Sequence, residues 1–342
     1  MEAIAAGKHV VTANKALLAV HGTEIFAAAQ AKGVMVAFEA AVAGGIPIIK
    51  ALREGLTANS IQWVAGIING TTNFILSEMR DKGLDFGDVL KEAQRLGYAE
   101  ADPTFDIEGI DAAHKVSIMS AIAFGIPMQF DKAYIEGITK LAATDIKYAE
   151  QLGYRIKLLG IAKKTSSGVE LRVHPTLIPL EHPLAAVRGA YNAVFVEAES
   201  AGQLMFYGAG AGGSETASAI LGDLVSAAKR HVAGGPGLAD SVHANLAILP
   251  IDRAYTRYQI SLEVTDQPGI LAKIANVFAD HGVSIETVEQ SVRQSGGKRR
   301  STATLEVGTH VATDASLSSV VAALAANAAV ESITSVIRVE GI

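Results

Sequence analysis

The chain has 342 residues, 49% of them hydrophobic, with 29 basic and 35 acidic side chains giving a formal charge of −6, and it contains no cysteine. That length exceeds what one core usually organises, so two or three domains are expected, and an acidic balance with no basic stripe speaks against nucleic acid as a partner. Disulfides, thiolate nucleophiles and cysteine-held zinc or iron–sulfur sites are excluded, no apolar run of 18 residues offers a membrane span, and the opening MEAIAAGKHVV lacks the order of a signal peptide.

A cytoplasmic enzyme fits this composition. The first elements read as the tail of a helix (Glu2 to Gly7), a short strand (His9 to Thr12), a helix (Lys15 to Lys32) and a strand (Val34 to Phe38). This is an alternating α/β pattern entered partway, and a βαβ unit needs further strands to pair with. The expectation is therefore a first domain without its front, leaving an exposed sheet edge. Glu39 to Gly55, EAAVAGGIPIIKALREG, follows. Its Gly-Gly pair lets carbonyls turn toward a common point, where with the Glu39 carboxylate they suit a hard cation. It reads equally as a plain strand-to-helix turn with Pro47 at the first helical position. A strand from Ile61 to Ile68 then runs into Asn69-Gly-Thr-Thr-Asn73 and an amphipathic helix. That turn offers hydroxyls, an amide and helix N–H groups to an anion, or Thr71 or Thr72 simply caps the helix.

The segment from Gly97 to Lys115, GYAEADPTFDIEGIDAAHK, gathers Glu100, Asp102, Asp106, Glu108 and Asp111 ahead of one lysine. Asp102 to Glu108 reads as a loop and Gly109 to Ser120 as a helix, so Asp111 and Lys115 share a face one turn apart. Such a pair suits a lysine acting as proton donor. A solvated surface salt bridge is the alternative, and it contributes little energetically. Residues 169–205 suggest scattered short strands. Gly208-Ala-Gly210-Ala-Gly-Gly213 matches GxGxxG before a helix from about Glu215 to Arg230, yet the strand ahead of it looks poor and no acid follows at ribose-binding distance. It is expected to be a flexible turn near a cofactor.

Gly234-Gly-Pro-Gly237 marks a linker, and a separate module begins near Tyr255. Alternation at Ile260, Leu262 and Val264, a turn at Asp266-Gln-Pro-Gly269 and an apolar helical stripe from Ile270 to Phe278 open it. His281-Gly282 closes the helix. A strand from Val283, a hairpin around Ser295-Gly-Gly297, a strand through Leu305, a helix with Leu317, Val320 and Leu324 and a strand from Ile333 to Val339 complete βαββαβ. Nothing in it is an obvious catalyst, and it looks built to bind or to pair.

Five ordered motifs, VVTANKALLA, EAAVAGGIP, GIINGTTNFIL, GYAEADPTFDIEGIDAAHK and GAGAGGSETASAIL, resemble the homoserine dehydrogenase family over nearly the whole chain, and DQPGIL with HGVSIETV resembles the ACT family of amino-acid-binding regulatory domains. The fold class implied is α/β: an incomplete Rossmann-type nucleotide-binding domain (1–40, completed by about 208–232), an α/β substrate and dimerisation domain (41–207), a linker (233–254) and a ferredoxin-like ACT domain (255–342). The resemblance implies NADP- or NAD-dependent interconversion of aspartate semialdehyde and homoserine. It makes Lys115 the proton donor, positioned by Asp111, and puts Glu100, Asp106, Tyr98, Gly70 and Thr71 around the substrate. Lys15, Asn14, Thr12, Gly208 and Gly210 fall to the cofactor, while Glu39, Val42, Gly44 and Ile46 match a monovalent-cation (Na+) site. Threonine feedback and a homodimer or homotetramer are implied as well, with no nucleic acid and no membrane. Because the family's glycine-rich diphosphate cradle has no counterpart here, a catalytically impaired amino-acid-sensing homologue is the alternative, and a lyase using Lys115 as a Schiff-base amine is another.

Overall fold

The computed structural model describes residues 1–234, 244–293 and 302–340, so the expected turns at Gly235–Gly237 and Ser295–Gly297 lie outside the described residues. In chain order the elements are α1 (Glu2–Ala5), β1 (Val10–Val11), α2 (Lys15–Lys32), β2 (Val36–Ala37), α3 (Ile48–Lys50, continued by a wider turn to Gly55), β3 (Ile61–Ile67), α4 (Gly70–Lys82), α5 (Phe86–Arg95), α6 (Thr104–Ile107) and α7 (Ile110–Phe124). They continue with β4 (Tyr134–Ile135), α8 (Ala143–Gln151), β5 (Tyr154–Thr165), β6 (Gly168–Pro179), β7 (Tyr191–Ala198), β8 (Gly202–Ala209), α9 (Gly213–Ala233) and β9 (Ile248–Leu249). The last are β10 (Tyr255–Thr265), α10 (Ile270–Asp280), β11 (Ile285–Arg293), β12 (Thr302–Thr309), β13 (Ala312–Thr313), α11 (Asp314–Ala325) and β14 (Val330–Val339).

The chain divides into two compact units. The first takes residues 1–143, 157–174 and 183–249. In it β1 and β2 pair in parallel, Val10 opposite Val36, joined by α2. Asn14 caps α2 by accepting the Leu17 N–H, and Gly33 ends it at φ 65°, a left-handed turn that glycine enters without strain. The larger sheet of this unit runs β6-β5-β3-β7-β8, with β3 antiparallel to both β5 and β7. Strand β3 is buried on both faces, and α7 packs against it. The second unit takes residues 144–156 and 175–182 together with the described part of 250–342. Its strands lie in the order β11-β12-β10-β14, all antiparallel neighbours. Ile260, Leu262, Leu305 and Val307 meet Ile274, Phe278, Leu317 and Val320 from α10 and α11 in one core, the βαββαβ arrangement expected.

Three expectations are corrected. The region read as scattered short strands holds long ones: β7 and β8 run for eight residues each and β6 for 12. The apolar pattern of β6 is broken by Glu170, Arg172 and His174, which are nevertheless buried. Spaced two apart they share one face of β6, and there Arg172 pairs with Glu170 at 2.9 Å and His174 at 2.8 Å. Residues 104–107 form a short helix, not a loop, because Asp102 accepts the Thr104 N–H at 3.1 Å and satisfies a donor at its start. The strand ahead of the glycine-rich turn, which looked poor, is the eight-residue β8, paired to β7 along its full length.

Candidate active site

Helix α7 starts where Gly109 adopts φ 82°, with Val173 and Ile135 close enough to touch any added Cβ. This pins the first turn and aims Asp111 inward, where it is buried. One turn on, the Lys115 ammonium lies 2.7 Å from Asp111 Oδ2 and donates also to the Ile68 carbonyl at 2.7 Å. The Lys15 ammonium, from the first residue of α2, reaches Asp111 Oδ1 at 3.2 Å. Two cations thus share one buried carboxylate. The surface-salt-bridge alternative fails on burial, since the Lys115 side chain is only 12% exposed and that of Asp111 5%.

Asn69 ties the site together. Its Oδ1 accepts the Thr72 N–H, so it and not Thr71 or Thr72 caps α4, while its Nδ2 donates to Asp106 Oδ1 at 2.7 Å and Asp111 Oδ2 at 2.9 Å. The amide expected to face an anion does so, but the anions are two carboxylates of the protein. Burial alone would raise the Asp111 pKa, but Lys115, Lys15 and the Asn69 bond outweigh it and hold the carboxyl below its usual range. Asp106 goes the other way: burial, joined by the nearby Asp111 charge, raises it despite the Asn69 bond. His114, next in line on α7, is buried between the Phe105 and Phe130 rings, and burial pushes its pKa down.

Of the other expected substrate residues, Thr71 donates its hydroxyl to the Tyr98 carbonyl at 2.6 Å, and the Tyr98 ring stacks on Phe74. Gly70 runs so close to Ala190 that a Cβ would stand 2.7 Å from its carbonyl oxygen. Glu100 is exposed, and its carbonyl accepts from Gln94. The Ile68 carbonyl was not singled out from the sequence, and Asn69 was named only within a turn offering an amide to an anion, with no sign that its partners would be two carboxylates of the chain.

The expected cofactor residues Thr12, Asn14 and Lys15 follow the C-terminal end of β1, where parallel α/β strands leave their ligand crevice. Thr12 Oγ1 accepts the Asn14 N–H at 3.1 Å and shapes that turn. Gly208 and Gly210 stand against the Gly44–Gly45 turn: the Gly45 N–H donates to the Ala209 carbonyl at 3.0 Å, and a Cβ on Gly44 would stand 2.7 Å from the Gly210 oxygen. A Cβ on Gly210 would overlap the Asn192 side chain. Gly44 therefore serves a close approach of two backbones, while Gly210 leaves room for the Asn192 side chain. Glu39, which is buried, accepts the N–H groups of Ile49 at 2.7 Å and Lys50 at 3.0 Å. Its own N–H donates to Asp223, which pairs with Lys50 at 2.9 Å. Burial, with the Asp223 charge, raises the Glu39 pKa despite the two N–H bonds.

A short parallel β1–β2 pair beside a lysine fixed by a buried carboxylate, with a separate βαββαβ module, fits the class of nucleotide-dependent oxidoreductases. Comparison with known proteins makes this specific. The homoserine dehydrogenase profile matches residues 47–225, the homoserine dehydrogenase NAD-binding profile residues 1–39, and the ACT domain profile residues 258–329. Homoserine dehydrogenase of Pseudomonas aeruginosa is 58% identical over 296 residues, covering 85% of this chain and 68% of that one. The crystal structure of a homoserine dehydrogenase from Thiobacillus denitrificans superposes with a TM-score of 0.93 at 57% identity, over 99% of this chain and 78% of that one. A hyperthermophilic archaeal homoserine dehydrogenase, solved in complex with NADPH, gives 0.59 at 31% identity over 66% of each chain. The chain belongs to the homoserine dehydrogenase family, oxidoreductases that use a nicotinamide cofactor.

Proposed function

We propose that the Asp111 cluster is the reaction centre for interconversion of aspartate semialdehyde and homoserine, with Lys115 as proton donor. The observation that carries this reading is the Lys115 ammonium held at 2.7 Å by both a buried carboxylate and a main-chain carbonyl, which fix its position while one N–H stays available. When bound beside Thr12, Asn14 and Lys15, a reduced nicotinamide would supply the hydride that the aldehyde carbon needs in the reductive direction. Lys115 gives a proton to the oxygen as negative charge develops there, and in the reverse direction it takes that proton from the hydroxyl. Asp111 acts as positioning residue for Lys115 and Lys15, and Asn69 positions Asp111 and Asp106. Asp106 and Glu100 are assigned to the substrate ammonium, with Tyr98, Gly70 and Thr71 forming the wall. Lys15, Asn14 and Thr12 are assigned to the cofactor side, with NADP or NAD as the cofactor; the archaeal relative was solved in complex with NADPH. Oxidation of L-homoserine, followed by reduced-nicotinamide absorbance with NADP+ and NAD+ in parallel, tests the assignment; no turnover with either removes it.

Two regulatory readings accompany it. The Glu39 carboxylate with the carbonyls of Val42, Gly44 and Ile46 is assigned to a monovalent cation, which would offset the two neighbouring buried acids, Glu39 and Asp223. Exchanging Na+ for choline at constant ionic strength is expected to lower turnover several-fold, and unchanged rates remove the cation. Threonine is assigned to the Gly269 turn, which with Gln267, Ile270, Gln290 and Leu305 lines a cavity of about 230 Å³. Gly269 sits at φ 87°, so Gly269→Val strains that turn. Inhibition by threonine is then expected to weaken about tenfold or more while uninhibited turnover stays near wild type, and equal loss of both would indicate misfolding. A homodimer through the middle domain and a cytoplasmic location complete the reading, with analytical ultracentrifugation and fractionation as their tests.

A further inference from the structure

One turn of α7 gathers three ionisable groups: His114 stands three residues after Asp111 and Lys115 four, spacings at which side chains share a helix face. Lys115 bonds that acid, whereas His114 is enclosed by rings and only 5% exposed. Phe105 of α6 meets it at 5.3 Å and 62°, and Phe130, in the turn ahead of β4, at 4.3 Å and 65°, both edge to face. Its Nδ1 is buried with no hydrogen-bond partner among the described residues. A phenylalanine would fill such a cage and leave no polar atom unpaired. The imidazole is therefore costly there, and what sets it apart is that it can take a proton.

The cage reaches the reaction centre through Phe105. The Lys15 ammonium lies 5.9 Å from the centre of that ring and 3.2 Å from Asp111 Oδ1, so an acid and a ring face hold it together. His114 braces the ring. The charged groups on the elements around it are Asp111 and Lys115 from its own helix, Lys15 from α2 and Asp106 from α6. Asp131 and Lys132, beside Phe130, are exposed, Arg53 lies on the Phe38 ring, Glu54 pairs with Arg230, and β3 carries no charge. Burial holds the His114 pKa below the usual histidine value, with Asp111 drawing it up and Lys15 pushing it down. One buried carboxylate thus serves two lysines while the imidazole is neutral, and faces three cations once it is charged. Lys15, with 35% of its side chain exposed against 12% for Lys115, is the more readily displaced.

We propose that His114 is a positioning residue for Lys15: as a neutral imidazole it braces Phe105 against the ammonium and leaves Asp111 to the two lysines, and on gaining a proton it competes with Lys15 for that acid and loosens it. This deepens the dehydrogenase reading of the cluster and rests on it. Two measurements on the full chain test it. Histidine side-chain NMR, with the His114 signal identified by its loss in His114→Phe, follows protonation without turnover. Lys15→Met should move the His114 midpoint up, because a cation opposing its charge is gone, and Asp111→Asn should move it down. The second measurement is the acid limb of kcat/KM for NADPH in reduction of aspartate semialdehyde, the direction in which Lys115 must be charged. Below the His114 midpoint wild type should lose about tenfold per pH unit, the slope of one ionisation, and His114→Phe should carry that limb to lower pH, each profile scaled to its own plateau. Phe105→Leu keeps the imidazole and removes the ring face, so KM for NADPH should rise about two- to fivefold, the worth of one partly exposed cation–ring contact. His114→Gln, also uncharged, replaces the phenylalanine variant in both measurements if that one does not fold. The proposal is overturned if the His114 midpoint is indifferent to Lys15→Met, or if the acid limbs of wild type and the His114 variant coincide. Absence of all turnover would instead remove the dehydrogenase reading, and the NMR midpoints would still decide whether His114 and Lys15 act on each other.

Discussion

Lys115→Ala is expected to lower kcat for L-homoserine oxidation by about 10²–10⁴-fold, the range for loss of a positioned acid or base, with KM little changed. The split follows from geometry. Lys115 is fixed by groups of the protein, Asp111 and the Ile68 carbonyl, so its charge is already balanced before substrate arrives and adds little to ground-state affinity. Its proton matters only as the oxygen gains charge, which is an interaction confined to the transition state. Stability should respond little, because the removed charge leaves Asp111 with Lys15 and Asn69. A variant with unchanged kcat removes Lys115 from the chemistry. A rise in KM at constant kcat would make it a binding group. Borohydride trapping of wild type with substrate separates the remaining alternative, since an adduct on Lys115 would mean a Schiff base and a lyase.

The sequence carried the fold further than the site. The helix from Lys15 to Lys32 and the βαββαβ module were legible because their apolar spacing and glycine ends agree. The β6 strand was not, because Glu170, Arg172 and His174 satisfy one another in the interior, a pairing that periodicity reads as exposure. At the site, the Asp111–Lys115 pair was legible as an i, i+4 contact local to one helix. The arrival of Lys15 from 96 positions upstream and of Asn69 from 42 was not, since nothing in a spacing rule joins separate elements. The Gly208–Gly213 segment shows the same limit from the other side. Its glycines were read as flexibility, whereas Gly210 leaves room for Asn192 and its carbonyl is approached by Gly44, neighbours that only tertiary packing brings together.

Asp111→Ala is the second large effect, and it differs from the first by striking stability as well as turnover. Removing the acid leaves the Lys115 ammonium, 12% exposed, without its counter-charge and next to a second cation. Breaking a buried pair from one side costs about 3–5 kcal/mol, and the lower end applies here because Lys15, 35% exposed, can turn back to water. The pH dependence carries a sign. The Asp111 pKa is lower folded than unfolded, so its contribution is present above the ordinary carboxylate range and fades as pH falls through the folded value. Urea unfolding of wild type and Asp111→Ala should therefore give a stability gap that is full at neutral pH and narrows in acid. A gap that stayed constant into strong acid would show that the carboxylate acts by shape and not charge. For catalysis, Asp111→Asn is the sharper variant: it keeps the size and a hydrogen-bonding oxygen but no charge, so kcat should fall while the fold persists. If turnover in Asp111→Asn matched wild type, holding two lysines on one carboxylate would not be part of the reaction, and positioning of Lys115 would rest on the Ile68 carbonyl alone.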